Sequence, residues 1–294
     1  MKSKQYLKEK IIKNIFFLSS LTSIFFLLGI SLILFKEGLP LFREIDLKSF
    51  FWGKSWYPTY SPPEFGLLPL LLGSLWTTLG ALIIAVPLGV SAAIYISELA
   101  TPKTKDYLKL IIEMLTGVPS VIYGFLGIVV LAPWLQNLLD LPIGLCALTA
   151  SLLLALMAIP TIASLSEEAL FSVSKEYKEA SYALGATRWE TIIKVTVPAA
   201  FSGISTAVLL GMGRVIGETM TVLMVAGGAA IIPHSFLQPV RTITATIALE
   251  MGETVVGSVH YYALFAIACV LFIISLALNL SADYFLYKLR RTSQ

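Results

Sequence analysis

Long uncharged runs leave this chain few ways to fold. They lie at residues 14–35, 65–97, 114–139, 141–166, 195–213 with 219–240, and 261–282. An α-helix needs about 20 apolar residues to cross bilayer hydrocarbon, and only helices and closed barrels cross it with every backbone group satisfied. Each run therefore counts as one crossing. The second, 33 residues long, is long for one span and short for two plus a turn. Its start around Phe65 and Gly66 is expected outside the bilayer or in a steeply tilted segment. Apolar residues make up 57% of the chain and charged residues 13%, well outside the range of soluble domains. The expectation is an all-α, polytopic integral membrane protein with six transmembrane helices. The first run is longer than a signal-peptide core and no small-x-small site ends it, so it reads as a span.

Cytoplasmic loops collect Lys and Arg. With the N-terminus inside, inner segments hold Lys2, Lys4, Lys8, Lys10, Lys13, Lys103, Lys105, Lys109, Lys175, Lys178, Arg188, Lys194, Lys288, Arg290 and Arg291, 15 of the 21 basic residues. Outer segments hold Lys36, Arg43, Lys48, Lys54 and Arg241, and Arg214 is left inside the membrane. Both termini are thus expected to be cytoplasmic. The net charge of +3 follows from this bias and implies no nucleic acid. Cys146 and Cys269 fall in apolar runs and read as small hydrophobes; His234 and His260 lack ligand spacing and read as interfacial side chains, so no metal and no cofactor is implied. There is no H-E-x-x-H, and the few membrane carboxylates and histidines do not converge by spacing, which argues against a membrane enzyme. No G-x-x-x-x-G-K-[ST] loop is present either, so any use of ATP needs a separate subunit.

Between two apolar runs sits a polar island: Glu179-Ala180-Ser181, three residues, Gly185, nine residues, then Val195-Thr196-Val197-Pro198. It reads as short helices at 174–184 and 188–194, split at Gly185, with Thr187 and Glu190 as a capping box. Further on, Arg214 and Glu218 are the only charges between Lys194 and Arg241. On a continuous helix they would share one face. A charge near the bilayer centre costs about 2.5–3.5 kcal/mol, so it is expected to face a cavity or a partner. Gly211, Gly213 and Gly217 weaken the helix while offering close backbone approach and exposed amides, which with a guanidinium would suit a tetrahedral oxyanion. Two readings stay open, an ion pair that locks helices together or an anion site. In the second, Arg214 meets the anion and Glu218 either orients Arg214 or accepts a proton from the substrate. Thr116 to Gly124, with Gly117 and Pro119, reads as a helix broken at membrane depth. It would form an opposing wall with Ser120 and Tyr123 as hydroxyl donors, or a kink that serves packing alone. Glu98 and Glu113 read as interfacial charges. The outer segment 36–66, with Trp52, Trp56, Tyr57 and Tyr60 beside Pro58, Pro62 and Pro63, reads as an aromatic belt on a stiffened loop.

The polar island resembles the EAA loop of ABC-importer permeases, with Ser181, Val195 and Val197 as conservative departures. The segment Gly213-Arg214-Val215-Ile216-Gly217-Glu218-Thr219-Met220 is similar to one in the phosphate-transporter permeases, of the PstC type rather than the PstA type. Thr116 to Gly124, the outer residues Trp56, Pro58, Phe65, Gly66 and Pro69, and Glu250 to Leu264 agree with the same family from about residue 50 onward. Val215 for Ala and Ser74 for Thr are mild departures.

The resemblance implies the MetI-like permease fold: an N-terminal part, 1–66, and a core, 67–294, whose coupling loop spans about 172–198. It implies a non-enzymatic translocation subunit of a bacterial inner-membrane importer that moves inorganic phosphate by alternating access. Arg214, Glu218, Thr219, Gly213, Gly217, Ser120 and Tyr123 would line the translocation site. Glu179, Ala180, Gly185, Ala186 and Arg188 would couple to the ATPase. Expected partners are a PstA-like second permease, a PstB-like ATPase dimer, a PstS-like periplasmic phosphate-binding protein and the lipid bilayer. Another oxyanion such as sulfate or molybdate, or the PstA position, is the near alternative. An ion-coupled carrier is a more distant one, because it needs no docking site for a motor.

Overall fold

The computed structural model describes residues 2–292, with side chains at 10–281 and 284. The side chains of Lys2, Lys4, Lys8, Lys288, Arg290 and Arg291, six of the basic residues behind the expected orientation, lie outside the described residues. The first helix, α1 (Lys2–Gly38), leads through a 3-10 turn (Leu39–Arg43) into α2 (Leu47–Trp52) and a two-stranded antiparallel ribbon, β1 (Trp56–Tyr57) and β2 (Glu64–Phe65). Then come α3 (Leu68–Ile94), extended by a π turn (Tyr95–Leu99), α4 (Pro102–Thr116), α5 (Ser120–Leu126), a second π turn (Gly127–Leu131), α6 (Ala132–Leu138) and α7 (Ala147–Phe171). The rest is α8 (Lys175–Ala183), α9 (Arg188–Thr191), a third π turn (Ile192–Thr196), α10 (Val197–Ala199), α11 (Phe201–Ile216), α12 (Met220–Val225), α13 (Ile243–Glu250) and α14 (Val259–Thr292).

Among the described residues five helices are long and apolar enough to cross a bilayer, and the pair Arg188–Ala199 with Phe201–Ile216, bent by 67°, makes a sixth if it counts as one span. The run at 65–97 gives one long span, and Phe65 lies in β2 just before it. The spans are far from equivalent. Within the most apolar stretch of α7, 61% of residues are buried in the protein, against none for α1, which touches mainly α14. So α7 is the central post and α1 is turned to lipid.

Packing between helices in lipid cannot draw on the hydrophobic effect, and small residues that let backbones approach take its place. That is how α3, α7 and α11 meet. A Cβ added at Gly80 would lie 2.5 Å from Ser151 Oγ, and one at Gly211 would lie 2.5 Å from Ile162 Cγ1. Ala81, Ala85, Ala150, Ala155 and Ala158 continue this seam, filled by Leu154, Ile162, Val215, Val222 and Val225.

A second cluster closes the opposite end of α3. Trp56 and Phe65 pair across the ribbon with rings edge to face at 5.7 Å, and both are buried beside Leu41, Phe50, Leu70, Ile243 and Leu264. The expected aromatic belt is thus only partly one: Trp52 and Tyr60 are exposed, while Trp56 is a core residue whose indole N–H needs, and finds, a partner.

Candidate translocation and coupling sites

The glycines that weaken α11 end it before Glu218. Ile216 is its last residue, Gly217 caps it, and the amides of Gly217 and Glu218 close on the carbonyls of Gly213 and Val215, each at 3.2 Å. The expected i,i+4 face shared by Arg214 and Glu218 therefore does not form, and among the described residues there is no ion pair between them. Nor are the glycine amides open. Gly211 serves close packing against α7, and only beside Gly213 is there free space. The donors available to a ligand are side chains.

Arg214 turns toward α7, where its Nη1 donates to Thr161 Oγ1 at 3.3 Å. A guanidinium carries five N–H donors. The others have no partner among the described residues. Glu218 turns the other way: its Oε1 accepts the Thr221 amide at 3.2 Å, capping the exposed start of α12, and its carbonyl accepts Thr244 Oγ1 at 2.9 Å. Its second carboxylate oxygen has no protein partner among the described residues. Thr219 is half-buried, with its hydroxyl on the Gly217 carbonyl at 3.2 Å.

The helix break expected near Pro119 is present, between α4 and α5. It lies against the second break, because Thr221 Oγ1 of α12 donates to the Ser120 carbonyl at 3.0 Å. Tyr123 is buried, and its hydroxyl donates to the Leu115 carbonyl at 3.1 Å. That corrects its expected part: the hydroxyl bridges the break, and its donor is already used. Interrupted backbone at membrane depth persists only where protein buries it or a cavity meets it. The structure thus gathers Arg214, Tyr123, Ser120, Glu218 and Thr219 at two facing breaks, and adds Thr161, which no sequence motif marks.

The polar island folds as two short helices. Gly185 takes φ of +84° between α8 and α9, a region that disfavours any side chain. Ser174 caps α8, and the Thr187–Glu190 capping box is present in both directions. Glu179, Ala180 and Gly185 are exposed and Ala186 is half-buried. Leu184, 89% exposed, and the aromatic residues Tyr177, Tyr182 and Trp189 are each exposed on an otherwise polar segment, and exposed large apolar side chains suit a contact surface. Arg188 instead turns inward, its Nη2 donating to the carbonyl of Glu98.

Two further charge clusters lie away from the expected translocation and coupling residues. Glu167, on α7 and only 2% exposed, meets Lys105 Nζ at 2.7 Å and Lys109 Nζ at 2.8 Å from α4. These ion pairs are all the compensation its oxygens have among the described residues. The hydrogen bond to Glu167 raises the pKa of Lys109, against a lesser lowering by burial. At the ribbon end, Glu250 receives Arg241 Nη1 at 2.8 Å and Trp56 Nε1 at 3.0 Å, and lies 2.8 Å from His260 Nε2. His260 is therefore part of a polar hub beside a cavity of about 460 Å³ rather than a loose interfacial side chain.

The fold is that of ABC-importer permeases. The bacterial alginate ABC transporter, solved in complex with an alginate pentasaccharide-bound periplasmic protein, superposes with a TM-score of 0.64 at 15% identity, covering 94% of this chain and 95% of that one. The inward-facing MetNI methionine ABC transporter does so with a TM-score of 0.56 at 19% identity, covering 76% and 94%.

Residues 85–291 match the binding-protein-dependent transport system inner membrane component family, and the chain belongs to it. It is 42% identical over 235 residues to the probable ABC transporter permease protein YqgH of Bacillus subtilis, covering 80% of this chain and 76% of the relative. It is 35% identical over 260 residues to the phosphate transport system permease protein PstC of Mesorhizobium japonicum, covering 82% and 79%. The chain is accordingly a multi-pass inner-membrane translocation component, not a catalyst, and its class works with an ATPase and a substrate-binding protein.

Proposed function

We propose that this chain is a PstC-type permease subunit that carries inorganic phosphate inward by alternating access, with residues 67–294 as its core. One observation carries the reading. Arg214 stands at two facing helix breaks with most of its N–H donors unpartnered, and no carboxylate bonded to it, among the described residues. A guanidinium left so at membrane depth is a site for an oxyanion, which it can bind through paired hydrogen bonds. The relatives named for phosphate transport support that anion over sulfate or molybdate.

Glu218 fits the proton-accepting role better than the orienting one. It does not touch Arg214, and one carboxylate oxygen is free to accept the O–H that hydrogen phosphate has and sulfate lacks. The residues about 172–198 dock on a PstB-like ATPase through Leu184 and its aromatic neighbours. Both termini are cytoplasmic in this reading, a PstA-like subunit completes a heterodimeric pathway, and a PstS-like protein delivers phosphate on the opposite face.

The test is ATP-driven uptake by the reconstituted complex with phosphate, sulfate or molybdate offered alone and in competition. Phosphate is expected to accumulate against excess sulfate, and Glu218→Gln is expected to lose that preference. Uptake of sulfate or molybdate in place of phosphate would contradict the proposal.

A further inference from the structure

Glu98 joins the coupling segment to the second span. It lies in the π turn that ends α3, with 10% of its side chain exposed. Its Oε1 receives Lys178 Nζ of α8 at 2.7 Å and Ser97 Oγ at 3.2 Å. Its main-chain carbonyl receives the guanidinium of Arg188, the first residue of α9. One residue therefore holds both helices of the segment, the first by its carboxylate and the second by its backbone. Such π turns frequently mark functional positions in helices.

The two short helices α8 and α9 bury little themselves, whereas the π turn that follows them buries Ile192 and Thr196. No residue of α8 is buried, and α9 buries Thr191, whose hydroxyl lies 2.9 Å from that of Ser181 and so ties α9 to α8. Movement of this pair must carry Glu98 along or separate a largely buried carboxylate from its ammonium partner, which is strongly unfavourable. Glu98 continues into α3, and the glycines of α3 pack closely against Ser151 and Ile162 of α7, the helix that presents Thr161 to Arg214. A contiguous set of contacts thus runs from the docking segment to the proposed anion site.

We propose that Glu98 is a positioning residue for transport: it clamps the α8–α9 unit to α3 and converts displacement of that unit into movement of the span. The proposal rests on the reading of about 172–198 as the ATPase docking segment. Contiguity alone does not demonstrate coupling, so the test measures it, as ATP hydrolysed per phosphate imported by the complete complex in vesicles.

Glu98→Ala and Lys178→Met are each expected to raise that ratio about five-fold or more, the usual lower bound for coupled sites, with the ATPase still co-purifying. Lys178 is at the surface of α8, so its variant decides the matter if Glu98→Ala does not assemble. The exchange Glu98→Lys with Lys178→Glu is expected to bring the ratio back toward the wild-type value. A wild-type ratio in the single variants, or an exchange no better than they are, would overturn the clamp. Leu184→Asp keeps the two failures apart: it should release the ATPase. If it does not, the docking reading is wrong and the clamp falls with it. If it does while Glu98→Ala and Lys178→Met stay tightly coupled, only the clamp is wrong.

Discussion

At the scale of single residues, Arg214 was legible and its surroundings were not. A lone basic residue in a long uncharged stretch is visible in one dimension, because lipid makes it expensive wherever the helix goes. Its bond to Thr161 is not, since 53 residues separate them and a threonine in an apolar helix has no signature. The Arg214–Glu218 spacing pointed the wrong way: four residues make a shared face only while the helix persists, and Gly213 and Gly217 end it. The partners of Glu98 and Glu167 were hidden for a similar reason, as their lysines lie on other helices. Thr161→Val keeps the shape of the side chain and removes the acceptor. At about 1.5 kcal/mol for a long bond to a charged donor, the KM for phosphate uptake is expected to rise about ten-fold, with Thr161→Ser restoring it. An unchanged KM would show that Thr161 does not position the guanidinium.

At the scale of elements, local chemistry was the most readable. The break at Gly185, the capping box at Thr187 and Glu190, and the interruption at Pro119 all appear where turn and cap preferences put them. What local preference cannot give is how α4 is held. It buries no residue of its own and is anchored through Lys105 and Lys109 on Glu167 of α7. Glu167→Ala leaves two ammonium groups facing an apolar helix and is expected to lower stability by about 3 kcal/mol, read as a lower thermal midpoint of the detergent-solubilised protein.

The pH dependence has a definite sign. The folded-state pKa of Lys109 lies above its ordinary value of 10.5, so its contribution is complete below that value and is lost only as pH climbs through the raised one. Glu167→Ala should therefore destabilise equally at pH 6 and pH 9. A midpoint difference confined to one end of that range would argue against the lysine anchor.

At the scale of the whole molecule, six crossings were countable from run lengths, but the unequal roles of the helices were not. Apolarity marks α1 and α7 alike, yet one lies against lipid and the other at the centre of the bundle. The difference resides in Ala and Gly placement along α3, α7 and α11, which matters only once those helices are neighbours. In the proposed reading Arg214, half-buried beside the two helix breaks, is the cationic group that meets the anion. The most direct measurement of that account is ATP-dependent uptake of labelled phosphate by the reconstituted complex carrying Arg214→Gln. Losing one partner of a desolvated, hydrogen-bonded charge pair should reduce uptake about a hundred-fold or more while the ATPase remains bound. Uptake at the wild-type rate by that variant would contradict the account.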